Sequence, residues 1–276
     1  MRRTLIFIAG TKGGVGKSFA AIMLSGAAMD LGLSLTVYDT DNENRTISEL
    51  LAEQSNFLDE SKEQYPLDTV INGIFTGVCS EVTIVDMKAG TSRSTQEWFS
   101  SVPWDALHDT DVDVYVAGCI TSDPDSVRTF VPWLDYFRHI DFPVSFLIVK
   151  NGKDGNHFFT CNSLLEPAMD KLKLDYQIFT FPAVEQEYIN ELNNNNLTLR
   201  GHLNGDGTAR VLPTVMQKSR LRKHYFAITD QLVKFFAAKF NPEEMNESRN
   251  QKLQHVKKRI SCQEKVDKTN TTNRKK

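Results

Sequence analysis

Three short segments of this 276-residue chain carry residue types that can bind and cleave a phosphoanhydride. Lys17 and Ser18 follow a run of glycines, Asp39 and Asp41 stand two residues apart, and Asp86 ends an apolar segment. A lysine neutralises phosphate oxygens, serine and aspartate oxygens bind Mg²⁺, and a further aspartate can orient a water molecule for attack. Together they predict nucleotide chemistry.

The glycine-rich segment at residues 10–18 reads Gly-Thr-Lys-Gly-Gly-Val-Gly-Lys-Ser and directly follows an apolar run at residues 4–9. Glycines let backbone N–H groups surround phosphate oxygens, and a helix predicted from Phe19 to about Leu31 points its positive end at the same anion. A simple glycine turn between a strand and a helix is the alternative. The Lys-Ser pair favours phosphate binding by Thr11, Gly13, Gly14, Val15, Gly16, Lys17, Ser18 and Phe19.

Thr11 stands where the usual pattern G-x-x-x-x-G-K-[ST] has its first glycine, and Lys12 follows it. In this respect the segment resembles the deviant Walker A loop of the ParA/MinD family of ATPases, and is closest to the ParA-like partition and conjugation ATPases. The resemblance implies a homodimer that forms on ATP, with Lys12 reaching the partner's nucleotide. It makes Lys12 and Lys17 catalytic, because an ammonium group can neutralise charge that develops during phosphoryl transfer. A solvated loop lysine is the alternative for Lys12.

The same resemblance assigns the aspartates. It implies that Asp41 orients the attacking water, that Asp39 belongs to the magnesium shell, and that Asp86 is the Walker B ligand beside Ser18. A solvated turn is the alternative for the Asp-x-Asp segment. ATP and Mg²⁺ are therefore the expected cofactors.

Two segments depart from the family pattern. Residues 42–45 read Asn-Glu-Asn-Arg where partition ATPases commonly have Pro-Gln, and Lys88 stands where small residues and proline are usual. Lys88 can either contact phosphate or point to solvent. The rate of hydrolysis and the response to a partner therefore stay open.

Two further strand ends resemble the base-binding positions of the family. Asn151 has the donor and the acceptor that could read the edge of adenine, and Pro182 could lie against the ring. Loop punctuation is the alternative for both. The segment at residues 121–125 reads Thr-Ser-Asp-Pro-Asp, which predicts the cap of a following helix.

Short apolar runs alternate with longer amphipathic segments along most of the chain. This alternation predicts an α/β fold with a mostly parallel sheet flanked by helices. The resemblance to the ParA/MinD family implies that this fold is a P-loop NTPase of SIMIBI-like type. An amphipathic helix is predicted at residues 219–240, and a loop from residue 193 to residue 213. Strands are predicted at residues 5–9, 33–38, 81–85, 112–119, 144–149 and 176–181.

Charge divides the chain into two parts. Residues 241–276 contain ten Lys and Arg against five Asp and Glu, so they carry +5 of a net charge of −3 and leave −8 for the rest. We predict an ATPase domain at residues 1–240 and a basic, partly disordered C-terminal tail at residues 241–276. Four cysteines without a C-x-x-C pair fit a reduced, cytoplasmic setting.

The resemblance to the ParA/MinD family implies a ParA-type ATPase that binds DNA without sequence preference, positions a cargo, and responds to an activating protein partner. It would be cytoplasmic and nucleoid-associated. Two basic clusters are candidates for the DNA contact, although such clusters are commonly solvated surface. They are Lys218, Arg220, Arg222 and Lys223 on the predicted helix, and Lys257, Lys258 and Arg259 in the tail.

Two alternatives remain. One is a MinD-like membrane-associated positioning ATPase, which the tail supports poorly because only Leu253, Val256 and Ile260 form an apolar helical face. The other is a nucleotide-switched subunit of a conjugation or transport apparatus with little hydrolysis. A metal-cluster carrier of the same class would require paired cysteines, and their scatter argues against it.

Overall fold

The computed structural model describes residues 2–42, 44–59, 62, 65–89, 92–205 and 215–240. Within these residues seven strands form one sheet. They are β1 (Arg3–Ala9), β2 (Leu35–Asp39), β3 (Ser55–Phe57), β4 (Val82–Asp86), β5 (Val112–Ile120), β6 (Val144–Asn151) and β7 (Tyr176–Phe181). Their order is β3-β2-β4-β1-β5-β6-β7, and all neighbouring pairs are parallel.

Helices cover both faces of the sheet. Because side chains alternate along a strand, Ile6 and Ile8 face one apolar layer while Leu5 and Phe7 face the other. The first layer contains α1 (Lys17–Leu31), α2 (Thr46–Leu50), α7 (Gln186–Asn194), α8 (Leu199–Asn204) and α9 (Val215–Lys239). The second layer contains α3 (Asp68–Thr76), α4 (Ser92–Ser101), α5 (Pro124–Phe137) and α6 (Phe159–Leu172).

This architecture confirms the predicted parallel sheet between helices. Each of the six predicted strands is present, with bounds that differ by at most two residues at either end. The short edge strand β3 was missed, because Ser-Asn-Phe is too short and too polar to show a strand pattern. The predicted closing helix is also present, but it begins at Val215 rather than at Ser219.

The loop predicted from residue 193 is wrong over residues 199–204, which form α8. Thr198 caps this helix, since its hydroxyl accepts a hydrogen bond from the N–H of Gly201 at 2.9 Å, and Leu199 is buried. The helix was not predicted because the run of asparagines just before Thr198 is typical of a loop. Residues 193–194 of the predicted loop belong to α7, so the prediction is wrong there as well. Residues 206–213 of the predicted loop and the proposed tail, residues 241–276, lie outside the described residues.

Parallel pairing brings the ends of β1, β2, β4, β5 and β6 to one edge of the sheet. Asp39 and Asp86 are register partners on β2 and β4, and Ile8 of β1 is also paired with Asp86. Residues far apart in sequence therefore meet at the carboxyl edge, where α/β sheets of this kind bind ligands. No helix among the described residues is both long and apolar enough to cross a membrane.

A polar network holds α1 against α8 and α9. Asp30 accepts hydrogen bonds from Arg200 Nε and from the Tyr225 hydroxyl, both at 2.7 Å. The network is largely buried, and burial raises the pKa of Tyr225, so its hydroxyl remains a donor. The network fixes the axis of α1, whose N-terminus faces the carboxyl edge of the sheet.

Gly118 in β5 allows α5 to lie close to the sheet. A Cβ at this position would be 2.1 Å from the ring of Phe130 in α5, which is far below van der Waals contact. The close approach matters for the site, because α5 carries Asp123 at its N-terminus.

We expect Gly118→Ala to lower the free energy of unfolding by about 2–3 kcal/mol, because an overpacked core must shift. Gly73→Ala in α3 is the matched control. Its Cβ would meet only Cys79 Cβ at 3.8 Å, so it should leave stability unchanged or raise it by about 0.5–1 kcal/mol through helix propensity. Urea unfolding followed by circular dichroism measures both. An unchanged midpoint for Gly118→Ala would contradict the packing argument.

Candidate functional site

A cavity of about 760 Å³ opens at the carboxyl edge of the sheet. Most of the predicted site residues line it. They are Gly13, Gly14, Gly16, Lys17, Ser18, Phe19, Asp41, Asp86, Asn151 and Pro182. Four other predicted residues, Thr11, Lys12, Val15 and Asp39, are not part of its wall, and each has a different neighbour.

The backbone conformation of the glycine-rich loop favours glycine at Gly14 and Gly16 in particular. Gly14 and Gly16 have φ of +71° and +96°, in the left-handed region. At Gly16 a Cβ would also lie 2.1 Å from Asn151 Nδ2. The loop leads directly into α1, which begins at Lys17, two residues earlier than predicted. A 15-residue helix therefore presents its N-terminus to the cavity.

Lys17 and Ser18 occupy the start of α1 at the cavity wall. The Lys17 ammonium is buried and donates a hydrogen bond to the Lys12 carbonyl oxygen at 3.1 Å. Burial lowers the pKa of Lys17, and the nearby charge of Asp86 opposes this shift. An ammonium held by a single neutral carbonyl is available to phosphate oxygens.

Asp86 is a buried carboxylate, with 2% of its surface exposed. Burial raises its pKa to about 7, against the hydrogen bond that it accepts from Ser18, and the charge of Asp39 adds to the rise. Among the described residues, its Oδ1 atom has no hydrogen-bond partner. A buried oxygen of this kind is costly unless a ligand satisfies it.

These residues fit a magnesium ion that arrives with a nucleotide. Mg²⁺ in such sites uses one or two protein oxygens together with phosphate oxygens and water. Ser18 and Asp86 could supply these oxygens. No cluster of three or more His, Cys, Asp or Glu side chains suited to a metal occurs in the described part of the chain, so the phosphates would have to complete the shell.

The two aspartates after β2 have different environments. Asp39 is fully buried, and its Oδ1 accepts from the N–H of Asp41 at 3.0 Å. Its Oδ2 accepts from the N–H and the hydroxyl of Ser48, at 3.1 and 2.9 Å. Burial raises the pKa of Asp39, and these hydrogen bonds oppose the rise. The geometry therefore favours a role for Asp39 in shaping the loop that carries Asp41.

Asp41 itself lines the cavity. Its Oδ1 accepts a hydrogen bond from the N–H of Asn44 at 3.1 Å, which orients the carboxylate. A carboxylate at the wall of the cavity, next to the predicted magnesium position, is placed to hold a water molecule.

Lys12 does not line the cavity. Its ammonium forms an ion pair with Asp123, which raises the pKa of Lys12 and lowers that of Asp123. Asp123 also caps α5 as predicted, since its Oδ1 accepts from the N–H of Asp125 at 2.9 Å. The ion pair was not predicted, because the two residues are 111 positions apart.

The remaining loop residues are braced by side chains from other elements. Thr11 accepts a hydrogen bond from Trp133 Nε1 of α5 at 3.3 Å. Asn151 Nδ2 donates to the Val15 carbonyl at 3.0 Å, while Asn151 Oδ1 accepts from the N–H of Lys153 at 3.2 Å. Asn151 is thus engaged with the loop itself, and its contacts favour positioning over reading of a base.

The far end of the cavity contains residues that the sequence analysis missed. They lie just after Asn151 or just after Pro182 and are Lys153, Asp154, Val184, Gln186 and Ile189. The sequence offered one indication of these residues, which is that each follows the end of a predicted strand. Apolar and charged groups together there suit a ring with polar edges.

Lys88 follows neither of the two alternatives for its side chain. It does not line the cavity, and its ammonium donates to Asn42 Oδ1 at 2.8 Å. Its backbone N–H donates to Thr40 Oγ1 at 2.9 Å. Lys88 thereby joins the loop after β4 to the loop after β2.

The four basic residues on α9 lie in its first three turns. Arg220 and Lys223 are exposed and three positions apart, so they share a helix face, whereas Lys218 and Arg222 are half-buried. Arg220 pairs with Glu185 at 3.5 Å. The cluster at residues 257–259 lies outside the described residues.

The parallel sheet, the glycine-rich loop and the Ser18–Asp86 pair define a nucleotide-binding protein of the P-loop class. The profile of the family described as the CobQ/CobB/MinD/ParA nucleotide binding domain matches residues 6–274. The chain belongs to this family, which confirms the resemblance of its loop to ParA and MinD. Comparison with curated proteins gives no match.

Two of three similar solved structures share the fold at a TM-score of 0.50 or more. The MinD cell division protein of Aquifex aeolicus has a TM-score of 0.51 and 13% identity, over 84% of this chain and 97% of that one. The MinC:MinD cell division protein complex of Aquifex aeolicus has a TM-score of 0.50 and 13% identity, over 84% of this chain and 96% of that one. A putative plasmid partition protein of Borrelia burgdorferi B31 bound to AMPPNP has a TM-score of 0.46 and 15% identity, over 84% of this chain and 99% of that one.

The pKa of Asp86 leads to a pH prediction for the nucleotide-free protein. The folded chain keeps a proton up to about pH 7 that the unfolded chain loses near pH 4, so this group's contribution to stability falls as the pH rises between them. Between about pH 5 and about pH 8, wild type should lose about 2–4 kcal/mol more stability than Asp86→Asn.

Urea unfolding in the presence of EDTA measures this difference. The exposed Asp105 supplies the control, and Asp105→Asn should keep the wild-type dependence on pH. Equal losses of stability in wild type and Asp86→Asn would show that Asp86 is ionised in the folded protein at low pH.

Proposed function

We propose that this chain is a ParA-type ATPase that dimerises on ATP, binds DNA without sequence preference, and positions a cargo such as a plasmid, a chromosome region or a transfer complex. The position of Lys12 carries the proposal. It belongs to the phosphate loop, yet it does not line the cavity, and its ammonium is paired with Asp123. A loop lysine in this position can serve a nucleotide held by a second copy.

The chemistry follows from the residues at the wall of the cavity. Loop N–H groups and Lys17 bind the phosphates of ATP, and Ser18 and Asp86 hold Mg²⁺, which neutralises charge on the phosphate oxygens. Asp41 orients the water that attacks the terminal phosphate. Asp39, which the family pattern places in the magnesium shell, keeps that loop in shape through its bonds to Asp41 and Ser48.

Lys12 must leave Asp123 before it can reach a partner subunit. The pair is partly exposed, with 29% and 45% of the two side chains accessible, so water can replace either partner at small cost. Phosphate oxygens of a second nucleotide offer Lys12 more negative charge than one carboxylate. Formation of the dimer would therefore move the Lys12 ammonium from Asp123 to the nucleotide of the second subunit.

The exposed pair Arg220 and Lys223 is the proposed DNA contact. Arg220 bonds to Glu185, which stands between Val184 and Gln186 of the cavity wall. A change at the nucleotide can therefore reach the basic face through two adjacent residues. We further propose that the protein acts in the cytoplasm at the nucleoid, that residues 241–276 form a separate tail, and that a protein partner stimulates hydrolysis.

A nucleotide-switched subunit with little hydrolysis is the second candidate. The observation that favours it is the contact of Lys88 with Asn42, which joins two residues that depart from the family pattern. It shares ATP binding and dimerisation with the first candidate and differs in turnover. Measurement of turnover separates the two.

Substitution Asp41→Ala should reduce ATP turnover by about a hundredfold, because the attacking water loses the group that orients it. The ATP-dependent dimer should persist, since phosphate contacts lie elsewhere. Phosphate release and light scattering after gel filtration measure the two properties. Asp105→Ala, an exposed aspartate outside the cavity wall, should behave as wild type. Unchanged turnover in Asp41→Ala would remove it from catalysis.

Binding to random duplex DNA tests the whole cycle. We expect affinity to appear with ATP and not with ADP, to fall with salt, and to be lost in Lys12→Ala. The variant with both Arg220→Ala and Lys223→Ala should bind more weakly, with a salt slope smaller by about two.

Lys234→Ala is the matched control, because Lys234 is exposed on the same helix but lies outside the basic cluster. It should bind DNA as wild type does. If wild type binds no DNA in any nucleotide state, the DNA-binding part of the proposal fails. ATP-dependent flotation with liposomes in place of DNA binding would favour the MinD-like alternative.

A further inference from the structure

Two loops at the carboxyl edge are joined by side chains and backbone. One loop follows β2, carries Asp41 and is described at residues 40–42 and 44; the other, residues 87–89, follows β4 and Asp86. Lys88 in the second loop makes two contacts to the first, through its ammonium to Asn42 Oδ1 at 2.8 Å and through its N–H to Thr40 Oγ1 at 2.9 Å.

Thr40 provides the second part of this connection. Its N–H and its hydroxyl both donate to the Asp86 carbonyl oxygen, at 3.1 and 3.2 Å. The same hydroxyl accepts from the N–H of Lys88, so one buried side chain joins the backbone on both sides of Met87. The start of the Asp41 loop is therefore fixed to the strand that ends in Asp86.

Asp41 lies between two residues that are held in this way. Thr40 precedes it and is fixed to Asp86, and Asn42 follows it and is held by Lys88. The N–H of Asp41 donates to Asp39, and its carboxylate accepts from Asn44. With both neighbours fixed, the Asp41 carboxylate has a defined position relative to Asp86.

We infer that Lys88 is a positioning residue that acts through Asn42 to hold Asp41 at the correct distance from the magnesium side of the site. The inference rests on the proposed hydrolysis by Asp41. Lys88 is not among the residues that line the cavity, so this role does not require it to contact nucleotide or metal. It acts by fixing a loop, because even a small displacement of a reacting group lowers the reaction rate strongly.

Two other roles for Lys88 make different predictions. A lysine that contacts phosphate would, when substituted, lower the affinity for nucleotide. A solvated lysine would change neither affinity nor rate. A positioning lysine lowers the rate of hydrolysis and leaves affinity almost unchanged, because binding precedes the step that needs Asp41.

The test compares Lys88→Met, Lys88→Arg, Asn42→Ala and the double variant of Lys88→Met with Asn42→Ala. Lys171→Met, an exposed lysine on α6 outside the cavity wall, is the control. Affinity is measured with a non-hydrolysable ATP analogue and turnover with ATP. We expect kcat to fall about tenfold in Lys88→Met and in Asn42→Ala, with affinity within about twofold of wild type.

The double variant should be no slower than the slower single variant, because both changes break the same contact. Lys88→Arg should recover most of the rate, since it keeps a cation within reach of Asn42. A loss of affinity comparable to the loss of rate, or wild-type kcat in Lys88→Met, would overturn the inference.

Hydrogen exchange tests the inference independently of hydrolysis. If wild type does not hydrolyse ATP, the proposed function fails, but the exchange experiment still shows whether Lys88 holds the loop. In nucleotide-free protein, the amides of Asp41, Asn42 and Asn44 should exchange about tenfold faster in Lys88→Met than in wild type or Lys171→Met, because the loop loses a restraint. Equal exchange in all three proteins would mean that Lys88 does not hold the loop.

Discussion

The site depends on one buried carboxylate. Asp86 ends a central strand beneath the glycine-rich loop, where burial raises its pKa to about 7 and one of its oxygens has no partner among the described residues. A buried oxygen without a partner lowers the stability of the fold, and a bound cation would remove this cost. The other residues are arranged around it, with Ser18 bonded to it, Lys17 nearby, and the Asp41 loop fixed to its backbone.

The glycine-rich loop is held from several sides by side chains of its own chain. Trp133 bonds to Thr11, Asp123 pairs with Lys12, Lys17 bonds back to the carbonyl of Lys12, and Asn151 bonds to the carbonyl of Val15. A loop whose backbone is fixed in advance loses little conformational entropy when phosphate binds. The close fit of Asn151 against Gly16 shows how tightly this arrangement is packed.

The ion pair of Lys12 with Asp123 gives the nucleotide-free chain a defined arrangement for its distinctive lysine. Asp123 is itself fixed as the cap of α5, and α5 lies close to the sheet because Gly118 has no side chain. One glycine in the core therefore contributes to the position of a charged group at the surface. On the proposed function, exchange of this partner for a second nucleotide accompanies the change from monomer to dimer.

The sequence alone determined the elements and the loop. Periodicity identified six of the seven strands, and the spacing of Gly14, Gly16, Lys17 and Ser18 defined the phosphate loop, because these features depend on residues close together along the chain. It also placed Asp39, Asp41 and Asp86 at strand ends. It missed β3, which is too short for a period, and α8, whose cap was hidden among asparagines.

Only the tertiary structure separated the roles of these residues. It placed Asp41 at the cavity and Asp39 behind it, engaged Asn151 with the loop, joined Lys88 to Asn42, and paired Lys12 with Asp123. Apart from the two aspartates, each of these contacts joins residues 46 to 136 positions apart. Such pairs meet because parallel strands with crossover helices bring their ends to one edge, and no local pattern records which side chains then come within reach.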